Sequence, residues 1–209
     1  MNNTLAYILN KYHLDPTSAP PVFIPYKRSD LAALFNELGF KTGAEIGVFA
    51  GQYSKILCES IPGLKLYCID AWVVYDDLPE TKVAKHYKNY IRRIEGTYAA
   101  ARNLLQGYSC EFIKKYSMDA VTGFTRDSLD FVYIDANHAF DYVMEDIIEW
   151  SKIVRPGGII SGHDYHCFKY NEVSFQVSSA VNVYTNVHDI KPLFVFSGDH
   201  STSWAFVKV

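Results

Sequence analysis

The chain has 209 residues, enough for one α/β domain with a full core. Its 49% hydrophobic and 21% charged content is ordinary for a globular protein. A net charge of −3 and a pI near 6.1 count against binding nucleic acid or an anionic membrane by bulk electrostatics.

Residues 1–28 read as an N-terminal arm. Leu5, Ile8 and Leu9 suit a short helix, which Asp15-Pro16 and Ala19-Pro20-Pro21 break. The domain proper is expected over 29–209. Ser29 or Asp30 can cap a helix through Leu31, Leu34, Phe35 and Leu38, closed by Gly39. Ala44 to Val48 is the first strand and Gln52 to Glu59 the helix after it. Lys65 to Ile69 is the second strand, with Asp70 at its end. Residues 72–107 are too long for one crossover helix. They read as a helical insertion over the carboxyl edge of the sheet: a loop around Asp76, Asp77 and Pro79, then helical pattern over Lys82 to Leu105 with a break at Gly96. A substrate lid is expected there, with a homodimer contact as the other use open to it. Cys110 to Ile113 is the third strand.

Phe131 to Tyr165 carries the sharpest pattern. Phe131 to Ile134 is a short apolar run suited to a strand buried on both faces. Val143, Ile147, Trp150 and Val154 then recur at helical spacing. Pro156-Gly157-Gly158 stops that helix, and Ile159 begins a strand ending at Gly162-His163-Asp164. A βαβ unit makes the two strands parallel, so Asp135, His163 and Asp164 share the carboxyl edge, where open α/β sheets bind ligands. After a polar loop, a helix is expected around Val173 to Tyr184. Pro192–Phe196 and Ser203–Val207, flanking Ser197-Gly198-Asp199, read as an antiparallel hairpin. The whole is a three-layer αβα sandwich.

Cys58, Cys68, Cys110 and Cys167 show no CxxC and no zinc-type spacing, which suits a reducing, intracellular compartment. No apolar run approaches membrane-spanning length and the first residues lack a signal-peptide pattern, so a cytoplasmic protein is expected.

Glu45-Ile46-Gly47-Val48-Phe49-Ala50-Gly51 leaves a strand and enters a helix as ExGxxxG, not GxGxxG. Gly47 permits a tight turn, and Gly51 a close backbone approach to a ligand. Asp70 can accept hydrogen bonds from ribose hydroxyls or act as a loop acid. Trp72 can stack on an adenine or simply pack. His138, three residues beyond Asp135, has an unperturbed pKa of about 6.5 that suits proton removal near neutral pH. A structural histidine is the alternative, with Tyr165 or His166 then open as the base.

Together, AEIGVFAGQYS, LYCIDAW, FVYIDANHAFDYVMEDI and RPGGIISGHDY resemble class I S-adenosylmethionine-dependent methyltransferases, in particular the bacterial macrolide-sugar and antibiotic O-methyltransferases. The resemblance covers roughly Ala44 to the C-terminus. It implies a seven-stranded, mostly parallel Rossmann-like sheet with a reversed last strand. It implies methyl transfer from S-adenosylmethionine to a hydroxyl of a small molecule; a nucleic-acid methyltransferase is the less expected reading, since the chain has neither a basic bias nor an Asn-Pro-Pro-aromatic motif. Glu45, Gly47, Gly51, Ser54 and Asp70 would surround the cofactor, with Ser117 and Met118 flanking the adenine. Acids and polar groups at the positions of Asp135, His163 and Asp164 bind a divalent cation in metal-dependent relatives, usually magnesium. Asp135 and Asp164 suit magnesium, whereas the imidazole of His163 suits zinc, iron, nickel or manganese. Asp135 and His138 would then be the catalytic pair. A nicotinamide-dependent oxidoreductase and a non-catalytic binding module are the rival readings; the missing GxGxxG counts against the first.

Overall fold

The computed structural model describes residues 3–73, 94–170 and 173–209, with backbone alone for 168–170 and 173–174. Helix α1 (Asn3–Lys11) buries Ile8 and Leu9. The three-residue strand β1 (Val22–Ile24) follows. Helix α2 (Arg28–Glu37) buries Leu31, Ala32, Leu34 and Phe35. It starts two or three residues earlier than a cap at Ser29 or Asp30 would give: Lys27 is the N-cap, and Asp30 from inside the first turn accepts the Lys27 N–H at its Oδ2 (2.7 Å).

Three β–α repeats come next: β2 (Thr42–Ile46) with α3 (Gln52–Ser60), β3 (Lys65–Asp70) with α4 (Thr97–Leu104), and β4 (Cys110–Lys114) with α5 (Ser117–Val121). Gly96 caps α4 at φ 82°, in keeping with the break expected there. The expected loop at Asp76 to Pro79, and the helical pattern from Lys82 as far as residue 93, lie outside the described residues. Strand β5 (Leu129–Ile134), helix α6 (Phe140–Ile153) and strand β6 (Val154–Gly162) form the βαβ unit. Here α6 stops at Ile153 and the chain turns extended at Val154, before Pro156 is reached. The strand pairing slips between Leu129/Val154 and Phe131/Ile159, so the Pro-Gly-Gly stretch is an irregularity within β6 and not the end of the helix.

A small hairpin follows, β7 (Phe168–Tyr170) with β8 (Val173–Phe175). It takes the first residues expected in the next helix, and α7 runs over Val177–Val187. Strands β9 (Phe194–Phe196) and β10 (Ser203–Val207) form the expected hairpin.

The main sheet has the order β1-β9-β10-β6-β5-β2-β3-β4. Only β10 runs against its neighbours β6 and β9. The sheet has eight strands where seven were expected, because Val22–Ile24 of the presumed arm pairs in parallel with β9. So short a strand has no readable alternation of its own, and its partner lies some 170 residues away.

Alternation along the strands builds the three layers. Phe131 and Tyr133 of β5 join Leu31, Phe35, Tyr53 and Leu57 on one face. Val132 and Ile134 join Val143, Trp150 and Val181 on the other. The fold class is that expected from the sequence.

Candidate active site

The ends of β3, β2, β5 and β6 lie side by side, and backbone bonds carry their order past the strands. Gly47 N–H donates to the Ile69 carbonyl (2.9 Å), Asp135 N–H to Ile46 (2.7 Å) and His163 N–H to Ile134 (3.0 Å). At this carboxyl edge lies a cavity of about 400 Å³, lined by Gly47, Asp70, Trp72, Ser117, Asp135, His138 and Asp164 among others. The seven sequence-predicted residues come from five separate loops. Trp72, Val73, Ile94 and Thr97, at the described ends of the expected insertion, also line it.

At one end the backbone is tightly constrained. Gly47 sits at φ 91°, and a Cβ there would lie 2.0 Å from the Asp135 carbonyl oxygen. The close approach of two loops therefore requires glycine. Gly51 (φ 83°) begins α3. Asp70 ties this turn to its own strand: its Oδ2 accepts the Phe49 N–H (2.8 Å) and its Oδ1 the Trp72 N–H (2.7 Å). Burial raises the Asp70 carboxyl, against the pull of those backbone donors. Trp72 packs with Tyr98, ring centroids 4.7 Å apart, and its Nε1–H donates to the Phe49 carbonyl (2.7 Å).

Glu45, Ser54, Gly51, Met118 and His163 are not among the residues lining the cavity. Glu45 is 2% exposed and points toward α3, where Ser54 Oγ–H donates to its Oε2. Burial pushes its carboxyl up to about 8. Ser117 does reach the cavity. Its hydroxyl donates to Asp146 and accepts the Trp150 Nε1–H (2.8 Å). Asp146, 4% exposed, is pushed up to about 7 by burial. The sequence reading missed it, although a signal was present: Val143, Asp146, Ile147 and Trp150 stand at i, i+3, i+4 and i+7, so an acid lies on an apolar stripe.

At the other end two carboxylates and two imidazoles converge. His138 Nε2 lies 3.6 Å from Asp135 Oδ1 and 3.1 Å from Asp164 Oδ2. His163 Nδ1 lies 3.6 Å from Asp135 Oδ2 and 3.3 Å from Asp164 Oδ1. Asp135, His138 and Asp164 each offer a ligand atom within 4.8 Å of the others. His138 Nε2 is buried without a properly directed hydrogen bond, although it stands within ion-pair distance of both acids. Burial disfavours the charged imidazole of His138, but Asp135 and Asp164 outweigh it and raise the ring to about 9. Burial likewise raises the Asp164 carboxyl, but His138, His163 and Ser201 outweigh it and hold the group well below the usual carboxylate range. Asp164 sits at φ 50° and accepts from Ser201 Oγ–H. Phe175 stacks on His138 at 4.9 Å. Neither Ser201 nor Phe175 was foreseen, since each comes from a segment distant in sequence.

Two carboxylates and an imidazole nitrogen left without a directed hydrogen bond fit a divalent-cation site. Joined in one cavity to a glycine turn and a strand-end acid, they define a ligand-binding α/β enzyme of the Rossmann-like type. A family model described as a methyltransferase domain matches residues 44–165, and the chain belongs to that family. It is a methyltransferase, which sets aside the oxidoreductase reading.

Solved structures agree on the fold. The O-methyltransferase TomG of Streptomyces achromogenes, in complex with S-adenosylmethionine, is 16% identical at a TM-score of 0.59, the match covering 100% of this chain and 91% of TomG. An O-methyltransferase of Bacillus cereus bound to S-adenosylhomocysteine is 17% identical at 0.53, covering 100% and 92%. The N-methyltransferase NodS of Bradyrhizobium japonicum is 14% identical at 0.55, covering 87% and 94%. At such identities the likeness is one of fold, and it spans both oxygen and nitrogen acceptors. No curated protein matches the chain by sequence. Among the described residues, no helix is long and apolar enough to cross a membrane.

Proposed function

We propose that the protein transfers a methyl group from S-adenosylmethionine to a hydroxyl oxygen of a small molecule, assisted by a divalent cation. The observation that carries this reading is the single cavity joining Gly47, Asp70 and Trp72 to Asp135, His138 and Asp164. S-adenosylmethionine supplies an electrophilic methyl group, and a divalent cation acidifies a bound hydroxyl. The chain's part is positioning. The Gly47 turn lets backbone approach the donor, and Asp70, fixed by two backbone N–H groups, offers its remaining lone pairs to ribose hydroxyls. Ser117 stands at the nucleoside wall and Trp72 closes it.

Asp135 and Asp164 would hold the cation, with His163 as the nitrogen donor; the two acids keep the His138 ring protonated at neutral pH, and a cation bound to them would offset their charge and free the ring to take up the proton of the acceptor. The convergence of Asp135, His138 and Asp164 supports a second assignment, with His138 itself as the nitrogen donor. Loss of Mn²⁺ binding in His138→Ala but not in His163→Ala would select the second assignment, and the reverse would select the first. Oxygen as acceptor is supported by the carboxylate-rich end of the cavity and by the two O-methyltransferases of like fold.

The whole reading is tested by calorimetric titration of chelator-treated protein with S-adenosylhomocysteine. One-to-one binding is expected. Folded protein that binds neither this compound nor S-adenosylmethionine would overturn the proposal.

A further inference from the structure

Away from the cavity, three free thiols meet in one layer of the fold. Cys58 of α3 and Cys68 of β3 belong to the apolar cluster that also holds Leu57 and Leu66, and Cys110 of β4 packs against it. Cys58 Sγ and Cys110 Sγ lie 3.6 Å apart. None of the three lines the cavity. Cys58 is 7% and Cys68 0% exposed. Cys110 is half-buried and opens β4, an edge strand among the described residues, straight after the exposed residues 106–109. A small reagent in solution therefore reaches Cys110 before the other two.

The contacts divide the roles. Hydrogen bonds from Cys58 and then Cys68 lower the Cys110 thiol, outweighing burial. The same contacts with Cys110, together with burial, raise Cys58 and Cys68. Cys58 also lies in the last turn of α3, where the helix dipole disfavours a thiolate. Negative charge thus settles on Cys110, and the thiolate is the nucleophilic form. Register decides which neighbour can bridge to it. Cys110 pairs with Leu66, and Cys68 with Phe112, so Cys68 stands two residues further along a parallel neighbour. Strand geometry puts the Cα atoms of Cys68 and Cys110 about 8 Å apart, beyond the roughly 7 Å that a disulfide spans without backbone movement. Cys58 is bound by no such ladder, and its Sγ already touches that of Cys110.

We infer that Cys58 and Cys110 form a reversible thiol–disulfide pair, with hydrogen peroxide as the oxidant and Cys110 as the thiol attacked. The Cys110 thiolate attacks one peroxide oxygen: an S–O bond forms and the O–O bond breaks. The departing hydroxide takes up the proton that Cys110 gave to solvent and leaves as water. The sulfur is oxidised by two electrons, to a sulfenic acid, and the peroxide is reduced. Cys58 then attacks the sulfenic sulfur: an S–S bond forms, the S–O bond breaks, and hydroxide leaves as water with the Cys58 proton. Two thiols and one peroxide become one disulfide and two waters. The bond joins α3, which follows the glycine turn, to β4 across β3. It closes a ring that holds Asp70 and Trp72, its two ends 52 positions apart. In a reducing compartment a thiol pool returns the pair to its open form.

Protein carrying Cys167→Ser, which removes the exposed thiol, is treated with equimolar hydrogen peroxide at neutral pH, alkylated and digested without reduction. Circular dichroism confirms that it is folded. Mass spectrometry is expected to find a Cys58–Cys110 linked peptide that dithiothreitol releases, at least about 10-fold more abundant than either link to Cys68. Adding Cys58→Ser should abolish the link and leave Cys110 as a sulfenic acid that dimedone captures. Three reduced thiols in folded, peroxide-treated protein overturn the inference. So does a Cys68 link of equal yield, or a Cys58–Cys110 link that forms only in urea. Cys110 left unmodified in the Cys58→Ser variant overturns it too. Should that variant not fold, brief exposure of the Cys167→Ser protein with dimedone present decides: capture at Cys110 supports the assignment of roles, and capture at Cys58 refutes it.

Discussion

Glu45→Gln isolates the energetic consequence of a carboxyl enclosed in the sheet. Glu45 is 2% exposed, and its partner Ser54 is fully buried. Burial raises the carboxyl from 4.5 to about 8. A carboxyl raised in the folded state binds its proton more tightly there than in the unfolded chain. Its contribution to stability is therefore complete below pH 4.5 and is lost as pH rises through about 8. Each pH unit in that window removes about 1.4 kcal/mol, so the full loss is of order 5 kcal/mol. Glutamine keeps the shape and can accept from Ser54 Oγ–H, but it does not titrate. Urea unfolding of ligand-free protein from pH 5 to pH 9 measures the effect. Wild type should lose several kcal/mol relative to Glu45→Gln across the range, the variant becoming the more stable at high pH. Parallel profiles would refute the claim that burial governs this carboxyl.

Three further perturbations probe the same edge. Gly47→Ala should lower stability by about 2–4 kcal/mol by thermal or urea unfolding, because its Cβ meets the Asp135 carbonyl and its φ is positive; S-adenosylhomocysteine binding should fall with it. Asp135→Ala should leave S-adenosylhomocysteine affinity nearly intact while abolishing turnover and weakening Mn²⁺ binding by more than about 10-fold; full activity in this variant would dispose of the cation site. Ser117→Ala should cost about 1–3 kcal/mol by orphaning the Trp150 N–H and Asp146. That cost should be larger at pH 8 than at pH 5, since burial holds the Asp146 carboxyl near 7 and Ser117 supports its charged form.

Much of the sheet was legible in advance because its signals are local. The apolar run Phe131 to Ile134 and the stripe from Val143 to Trp150 define strand and helix within 20 residues, and a crossover between parallel strands brings both acid-bearing loops to one edge. Gly47, Asp70, Ser117, Asp135, His138 and Asp164 were found there for that reason. The limits were equally physical. The helix after β5 ends at Ile153 because backbone pairing with Leu129 begins at Val154, and local breakers such as Pro156 do not report on pairing. Side-chain direction was also hidden: Glu45 turns under α3 to Ser54 and not into the cavity.

The sequence by itself determined the elements of the βαβ unit, their parallel order and the residue types at the strand ends. Periodicity and turn chemistry act over a few residues and need no distant partner. Only the tertiary structure decided which remote groups meet. Ser201 reaches Asp164 across 37 positions, Phe175 stacks on His138, Val22–Ile24 adds an eighth strand beside β9, and Arg28 settles over Tyr53. Each of these contacts is fixed by closing a long stretch of chain against a packed surface, a choice that no local pattern encodes.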